Sequence, residues 1–272
     1  MSKLLKYSLL LFYVLLTSCT DVVDVDVPMA TPKLVVEASI DWELGTMGNR
    51  QTIYLSLSTS YFENNKQNIV TGASVKITNN STNQVFVFED QNNGAYTTNS
   101  FRPVVNQSYS LEIIYNNDIY TATETLMPVV PIDFVSQSKN QGFNKDALEV
   151  NVLFTDPAQI ENFYLIKFTS ERILLPALFD ISDEFTDGNQ MNVFYESEDF
   201  EVGDAVNIAL YGISKQYYNY IRLLIEQSSE GGPFSTIPAQ LKGNCINTTN
   251  PAANAFGYFR LTQVSKVPYV FK

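Results

Sequence analysis

Along much of the chain apolar and polar residues alternate with a period of two, the pattern of strands that bury one face. Between Thr52 and Ser58, Ile53, Leu55 and Leu57 share one side and Tyr54 takes the other. Val75 and Ile77 fall together within Ala73 to Thr78, and Val85 to Phe88 follows an Asn-Ser-Thr-Asn turn. Leu34 to Ile40 is a short β-rich run. Asn93-Gly94 and Asn116-Asn117-Asp118 have hairpin composition, the second between Tyr109–Tyr115 and Ile119–Leu126. Seven short strands at about ten-residue spacing over 33–128 predict an immunoglobulin-like β-sandwich.

Pro128 and Pro131 remove ladder donors and favour an extended connection, which sets a boundary at 128/129. The remainder, 129–272, reads as a β-rich domain with one α-helix, so the fold class is mainly β. Leu148–Phe154, Phe163–Phe168, Ala205–Leu210 and Ala255–Phe271 read as strands, and Asp180–Asn192 as an acidic, turn-rich excursion. In 214–228, Tyr217, Ile221, Leu224, Ile225 and Ser228 recur at helical spacing, with Ser214 as N-cap and Gly231-Gly232-Pro233 beyond the end.

The first 32 residues follow a different pattern. Lys3 and Lys6 precede the apolar stretch Leu9–Leu16, and Leu16-Thr17-Ser18-Cys19 supplies small residues before a cysteine. That apolar stretch is far shorter than the ~20 residues needed to span a bilayer. The arrangement predicts a lipoprotein signal peptide over 1–19, with Cys19 acylated. Residues 20–32 then form a tether in which Asp21, Asp24 and Asp26 alternate with valines before Pro28 and Pro32.

Charge narrows the partners. Lys3 and Lys6 are the only charged side chains in 1–19, so removing that segment takes the formal charge from −12 to −14. Such a chain is a poor ligand for nucleic acid, which is bound by releasing counterions from phosphates to basic patches. An anionic membrane surface would also repel it, leaving the lipid on Cys19 to hold it at the outer membrane. No other cofactor is expected.

The chain has no histidine, which removes Ser-His-Asp and Cys-His nucleophilic systems and His-type zinc sites. With Cys19 lipidated, Cys245 has no disulfide partner and reads as a small buried apolar residue. Carboxylates are the remaining chemistry. Asp183, Asp187 and Asn189 lie in a loop rich enough in oxygen to consider calcium. Counted as a calcium-hand loop from Asp183, however, positions three and twelve are Phe185 and Phe194, and a solvated turn is expected instead. Glu196, Glu198, Asp199 and Glu201 could furnish a hydrolytic pair only across a cleft, and as neighbours on a strand they read as a charged edge. Among the aromatics, Tyr61 and Phe62 are candidates for partner contact. So are Tyr218 and Tyr220, since three tyrosines at one helix start cannot all face the core.

Several segments together resemble the Bacteroidetes outer-membrane lipoprotein family called domain of unknown function 4249. They are Lys33–Ala38, Ser60-Tyr61-Phe62, Val70–Val75, Tyr120–Glu124, Pro128–Pro131, Asp156-Pro157, Glu161–Tyr164, Asp187-Gly188-Asn189, Gly203-Asp204, Asn250-Pro251 and Ala255–Phe259. The resemblance implies residence in the outer membrane and coding near TonB-dependent transporters, and it transfers no catalytic residue. The expectation is a non-enzymatic, lipid-anchored accessory protein for a TonB-dependent transporter or another envelope complex. A stand-alone glycan- or peptide-binding module is the alternative, with a carboxylate-dependent hydrolase behind it.

Overall fold

The computed structural model describes residues 31–59, 68–138, 144, 147–228 and 241–272. Cys19 and residues 20–30 of the tether, Tyr61 and Phe62, and Gly231-Gly232-Pro233 lie outside the described residues.

The alternating runs become strands that bury one face. β1 (Leu34–Glu43), β2 (Gln51–Leu57) and β6 (Ala95–Thr98) form one sheet. β5 (Val85–Asp90), β4 (Ser74–Asn79), β7 (Ser108–Tyr115) and β8 (Asp118–Thr125) form the other, and β3 (Asn68–Ile69) is a short addition to β2. Val36, Ile40, Ile53, Ile77, Leu111 and Ile113 fill the space between them. Asn116 and Asn117 both take positive φ, 50° and 66°, which is the two-residue hairpin their composition predicts. Near the start of β7 the Tyr109 hydroxyl accepts from Val104 N–H at 2.9 Å and donates to Arg102 O at 3.2 Å. This is the tyrosine corner of immunoglobulin-type sandwiches.

The β-rich remainder is a second sandwich with the same strand order. β9 (Phe134–Ser138), β10 (Leu148–Thr155) and β13 (Gln190–Ser197) form its first sheet. β12 (Ala177–Ser182), β11 (Phe163–Thr169), β14 (Ala205–Ile213) and β16 (Phe256–Val270) form its second. Leaving aside β3, the first, second and fifth strands share one sheet in both bodies, and the fourth, third, sixth and seventh share the other. The acidic stretch 180–192 therefore holds the end of β12 and the start of β13, not only a turn.

Between the sixth and seventh strands of this second body the chain inserts α1 (Lys215–Ser228) and β15 (Ile246–Asn247). Ser214 caps the helix as its sequence position predicts, its Oγ accepting from Tyr217 N–H at 3.1 Å. Ile221, with Tyr217, Tyr218 and Ile225, covers Phe163, Leu165, Ala209 and Tyr211 on the outer face of the β11–β14 sheet.

The insertion also reaches back to the first sandwich. β15 pairs with β8, Ile246 against Thr121 and Asn247 against Tyr120. The first part of β16 lies parallel to β1, from Val35–Phe256 to Glu43–Val264, and its remainder lies antiparallel to β14, from Tyr211–Val264 to Ala205–Val270. Leu126 lies in the first core, and Val129 and Val130 pack against the second. The hydrogen-bonded sheet runs across both, and Pro32–Lys272 is one compact unit.

Glycine makes the joint possible. Gly257 has φ +89°, and a Cβ there would stand inside the van der Waals shell of the Val36 carbonyl oxygen. Tyr258 and Phe259 then alternate, Phe259 into the first core and Tyr258 toward α1. Gly257→Ala is expected to cost more than about 2 kcal/mol, because left-handed strain adds to a backbone clash. Guanidinium titration checks this, and an unchanged midpoint would contradict the close approach of β1 and β16.

Candidate functional site

At one end of the second sandwich, the β10–β11 and β12–β13 turns face each other. Asp156, Asp183 and Asp187 come together there, with one carboxylate oxygen from each lying within 4.8 Å of the others. Asp156 and Asp183 are buried and Asp187 is exposed. Each carboxylate is met by donors from the opposing turn. Tyr164 Oη donates to Asp156 Oδ1 at 2.6 Å and Gly188 N–H to Asp156 Oδ2 at 3.1 Å. Asn162 N–H donates to Asp183 Oδ2 at 2.7 Å, and Gln159 N–H to Asp187 Oδ1 at 2.8 Å. These bonds offset the charge repulsion that the turns would otherwise feel.

The offset is incomplete at Asp183. Burial pushes its carboxyl above the usual range, and the charges of Asp156 and Asp187 push it further the same way. Burial and the bond to Asp156 also drive the Tyr164 hydroxyl upward. Of the three residues weighed for calcium, Asp183 and Asp187 converge and Asn189 does not. Its carbonyl accepts from Asp156 N–H at 3.1 Å and its amide donates to Asp187 O at 3.2 Å, so it braces the turns. Asp156 takes the third place, and it was invisible as a partner because only the tertiary pairing of two turns brings it there. Three such oxygens can share a proton or supply part of the six to eight that calcium takes. All three already accept hydrogen bonds from the chain itself, whereas flanking a sugar ring needs carboxyls about 5–9.5 Å apart with a substrate between them.

Of the carboxylates weighed as a hydrolytic pair, Glu196 and Glu198 both accept from Asn144, from its N–H at 3.3 Å and its side chain respectively. Asp199 sits in a turn where its N–H donates to Ser197 Oγ at 3.2 Å, and Glu201 pairs with Arg172 at 2.8 Å.

Tyr218 and Tyr220 are partly exposed, and each is engaged by the chain itself. Tyr218 lies 4.8 Å from the ring of Phe163 and Tyr220 4.8 Å from that of Tyr258. Cys245 sits in the first core, its thiol pushed up to about 12 by burial.

A buried polar junction between the sandwiches went unread in the sequence. Glu124 Oε2 accepts from Ser214 Oγ at 3.0 Å and from Tyr258 Oη at 3.1 Å, while Oε1 accepts from Thr125 N–H. Burial raises the Glu124 carboxyl above its usual value despite these donors. Its signal was present: Tyr120, Ala122 and Glu124 share one phase of β8, so a carboxylate occupies a core position.

With these sites described, the family model "Domain of unknown function (DUF4249)" matches residues 20–267. The chain belongs to this family. In this DUF4249 chain, three segments that carry the resemblance, Asp156-Pro157, Glu161–Tyr164 and Asp187–Asn189, meet at the acidic turns. Two others, Tyr120–Glu124 and Ala255–Phe259, supply the Glu124–Tyr258 bond. No curated protein matches the chain. Similar solved structures include a two-domain fibronectin type-III segment of chicken tenascin, at 11% identity and TM-score 0.22, covering 66% of this chain and 90% of that one. A cytokine receptor complex matches at 7% identity and TM-score 0.26, covering 67% and 86%. A DUF4785 family protein from Legionella pneumophila matches at 11% and 0.26, covering 66% and 51%.

The sign of the Asp183 effect is testable. An acid whose folded-state pKa is raised lends stability below its unfolded value, and loses it as pH climbs through the folded one. Asp183→Asn keeps an acceptor for Asn162 N–H and removes that loss. In EDTA its melting temperature is expected to equal or exceed that of the unaltered chain at pH 7, with any gain vanishing near pH 3.5. A lower melting temperature at pH 7 would contradict the repulsion described.

Proposed function

We propose that this DUF4249 protein is a Bacteroidetes-type outer-membrane lipoprotein, held by acyl chains on Cys19. Its non-enzymatic role is to dock on a TonB-dependent transporter or another envelope complex. The observation that carries this reading is the construction of the body beyond the tether. One strand, β16, belongs to both sandwiches, and the buried Glu124 junction fastens them a second time. Two sandwiches joined in this way can present a surface of fixed shape, which is what docking requires. The formal charge of −12 for the whole chain favours lipid over headgroup electrostatics as the means of attachment.

A glycan-binding role draws less support, because sugar stacking favours an exposed indole. Trp42 is the only tryptophan; its Nε1 donates to Thr46 O at 2.9 Å and its ring packs against the first core.

Palmitate labelling and fractionation test the anchor. Labelled lipid is expected on the unaltered protein, and Cys19→Ala is expected to lose the label and leave the membrane fraction. Purification from gently solubilised membranes is then expected to recover a barrel protein with the lipidated form. A chain that takes no label, or recovers no envelope partner, would contradict the reading.

A further inference from the structure

Where β1 and β16 start side by side, Val35 opposite Phe256, a cavity of about 330 Å3 opens. Its volume lies at the small end of the range of ligand sites, roughly 300–1,000 Å3. The lining divides by chemistry. Cys245, Ile246, Ala255 and Phe256 supply an apolar floor, and Lys33 and Lys242 stand beside them. No aspartate or glutamate lines the cavity.

These two lysines invert the local sign of a chain whose formal charge is −12. Among the described residues the ion pairs take Lys76, Arg172, Lys215, Arg222, Arg260 and Lys266, and neither Lys33 nor Lys242 has an anionic partner. Lys33 is half-buried and its Nζ lies 5.2 Å from the centre of the Phe256 ring. That contact sets the charge over the apolar wall without using its hydrogen-bond donors. Lys242 is exposed. A half-buried cation without a carboxylate has lost hydration that an anion would replace.

The backbone here is closed to a peptide strand. β1 occupies one side of β16. On the other side Gly243 packs on the Gly257 carbonyl, and Asn244 bonds β16 with its amide. Its Oδ1 accepts from Phe259 N–H at 2.8 Å, and its Nδ2 donates to Phe259 O at 2.8 Å. The chain beyond continues into β15, which is bonded to β8. An occupant is therefore held by side chains, through charge at the lysines and apolar contact at the floor. An anion without a tail would leave the floor unfilled, and a neutral lipid would leave the lysines unpaired. An acyl chain ending in a carboxylate or phosphate meets both demands.

We propose that this cavity binds a single-chain anionic amphiphile, its head at Lys33 and Lys242 and its chain against Phe256, Ala255 and Ile246. The site goes beyond the docking role above and does not depend on it. The negative charge of the whole chain does not forbid it. Salt screens exposed charges over about 10 Å, so a direct contact is decided by the groups that line it.

The test uses the full chain in a nonionic detergent and a dodecanoate carrying a photoreactive diazirine. Cross-links are expected on peptides spanning 241–246 and 252–256. Unlabelled dodecanoate and dodecyl phosphate are expected to compete, the stronger of the two identifying the head. Dodecanol and inorganic phosphate are expected to compete at least about tenfold more weakly. Lys242→Glu is expected to lower labelling at least about tenfold at an unchanged melting temperature, and Lys242→Arg to retain it. Labelling spread along the chain, or full labelling of Lys242→Glu, would overturn the proposal. So would dodecanol competing as well as dodecanoate, or inorganic phosphate as well as dodecyl phosphate.

Discussion

A strand has two edges of backbone donors and acceptors, and burying one unpaired costs about as much as the hydrogen bonds lost. β16 meets this demand by changing partners along its length. Its first part lies beside β1, with the linker on the other side, where Met127 N–H donates to Leu261 O at 3.2 Å and Gln263 N–H to Met127 O at 2.8 Å. Its second part completes the second sandwich against β14. Neither sandwich can shift register without breaking the ladder of the other. The same need for close backbone approach explains Gly257 over Val36, Gly243 over Gly257, and Gly212 beneath the Pro128 carbonyl.

Polar groups buried along this joint work differently from its apolar core. Arg260 is buried between Tyr211, at 4.8 Å, and Tyr217, at 5.2 Å, and its Nη2 donates to Asp41 at 2.9 Å. Among the described residues its Nε and Nη1 have no hydrogen-bond partner, so the ring faces carry part of the compensation for its lost hydration. Buried ionic groups of this kind add little net stability but penalise every alternative pairing. Glu124, capped by Ser214 and Tyr258, ties the helix start, β8 and β16 to a single geometry.

The parts of this fold legible in the sequence are those governed by local periodicity. β2, β4, β7 and β8 show clean alternation, the Asn116-Asn117 hairpin has its own turn chemistry, and α1 with its Ser214 cap lies where helical spacing puts it. β12 and β13 were obscured because Asp180 at the end of β12 runs into the acidic turn Asp183, Glu184 and Asp187, and polar Gln190 and Asn192 open β13, so the run reads as one excursion. The repeated strand order was hidden for the same reason. The parallel pairing of β1 with β16 joins residues more than two hundred positions apart and has no local signal. Asp183 and Asp187 stood out by composition, whereas Asp156 entered their cluster only through tertiary contact.

The joint is tested most directly by whether the two sandwiches unfold together. Native-state hydrogen exchange across a guanidinium series, comparing β4 and β7 with β11 and β14, measures the opening free energy of each body. A shared strand predicts that these amides merge into one cooperative transition, and that the fluorescence of Trp42 in the first sandwich follows the same curve. If the first sandwich keeps its protection after the second has exchanged, the strand does not join them.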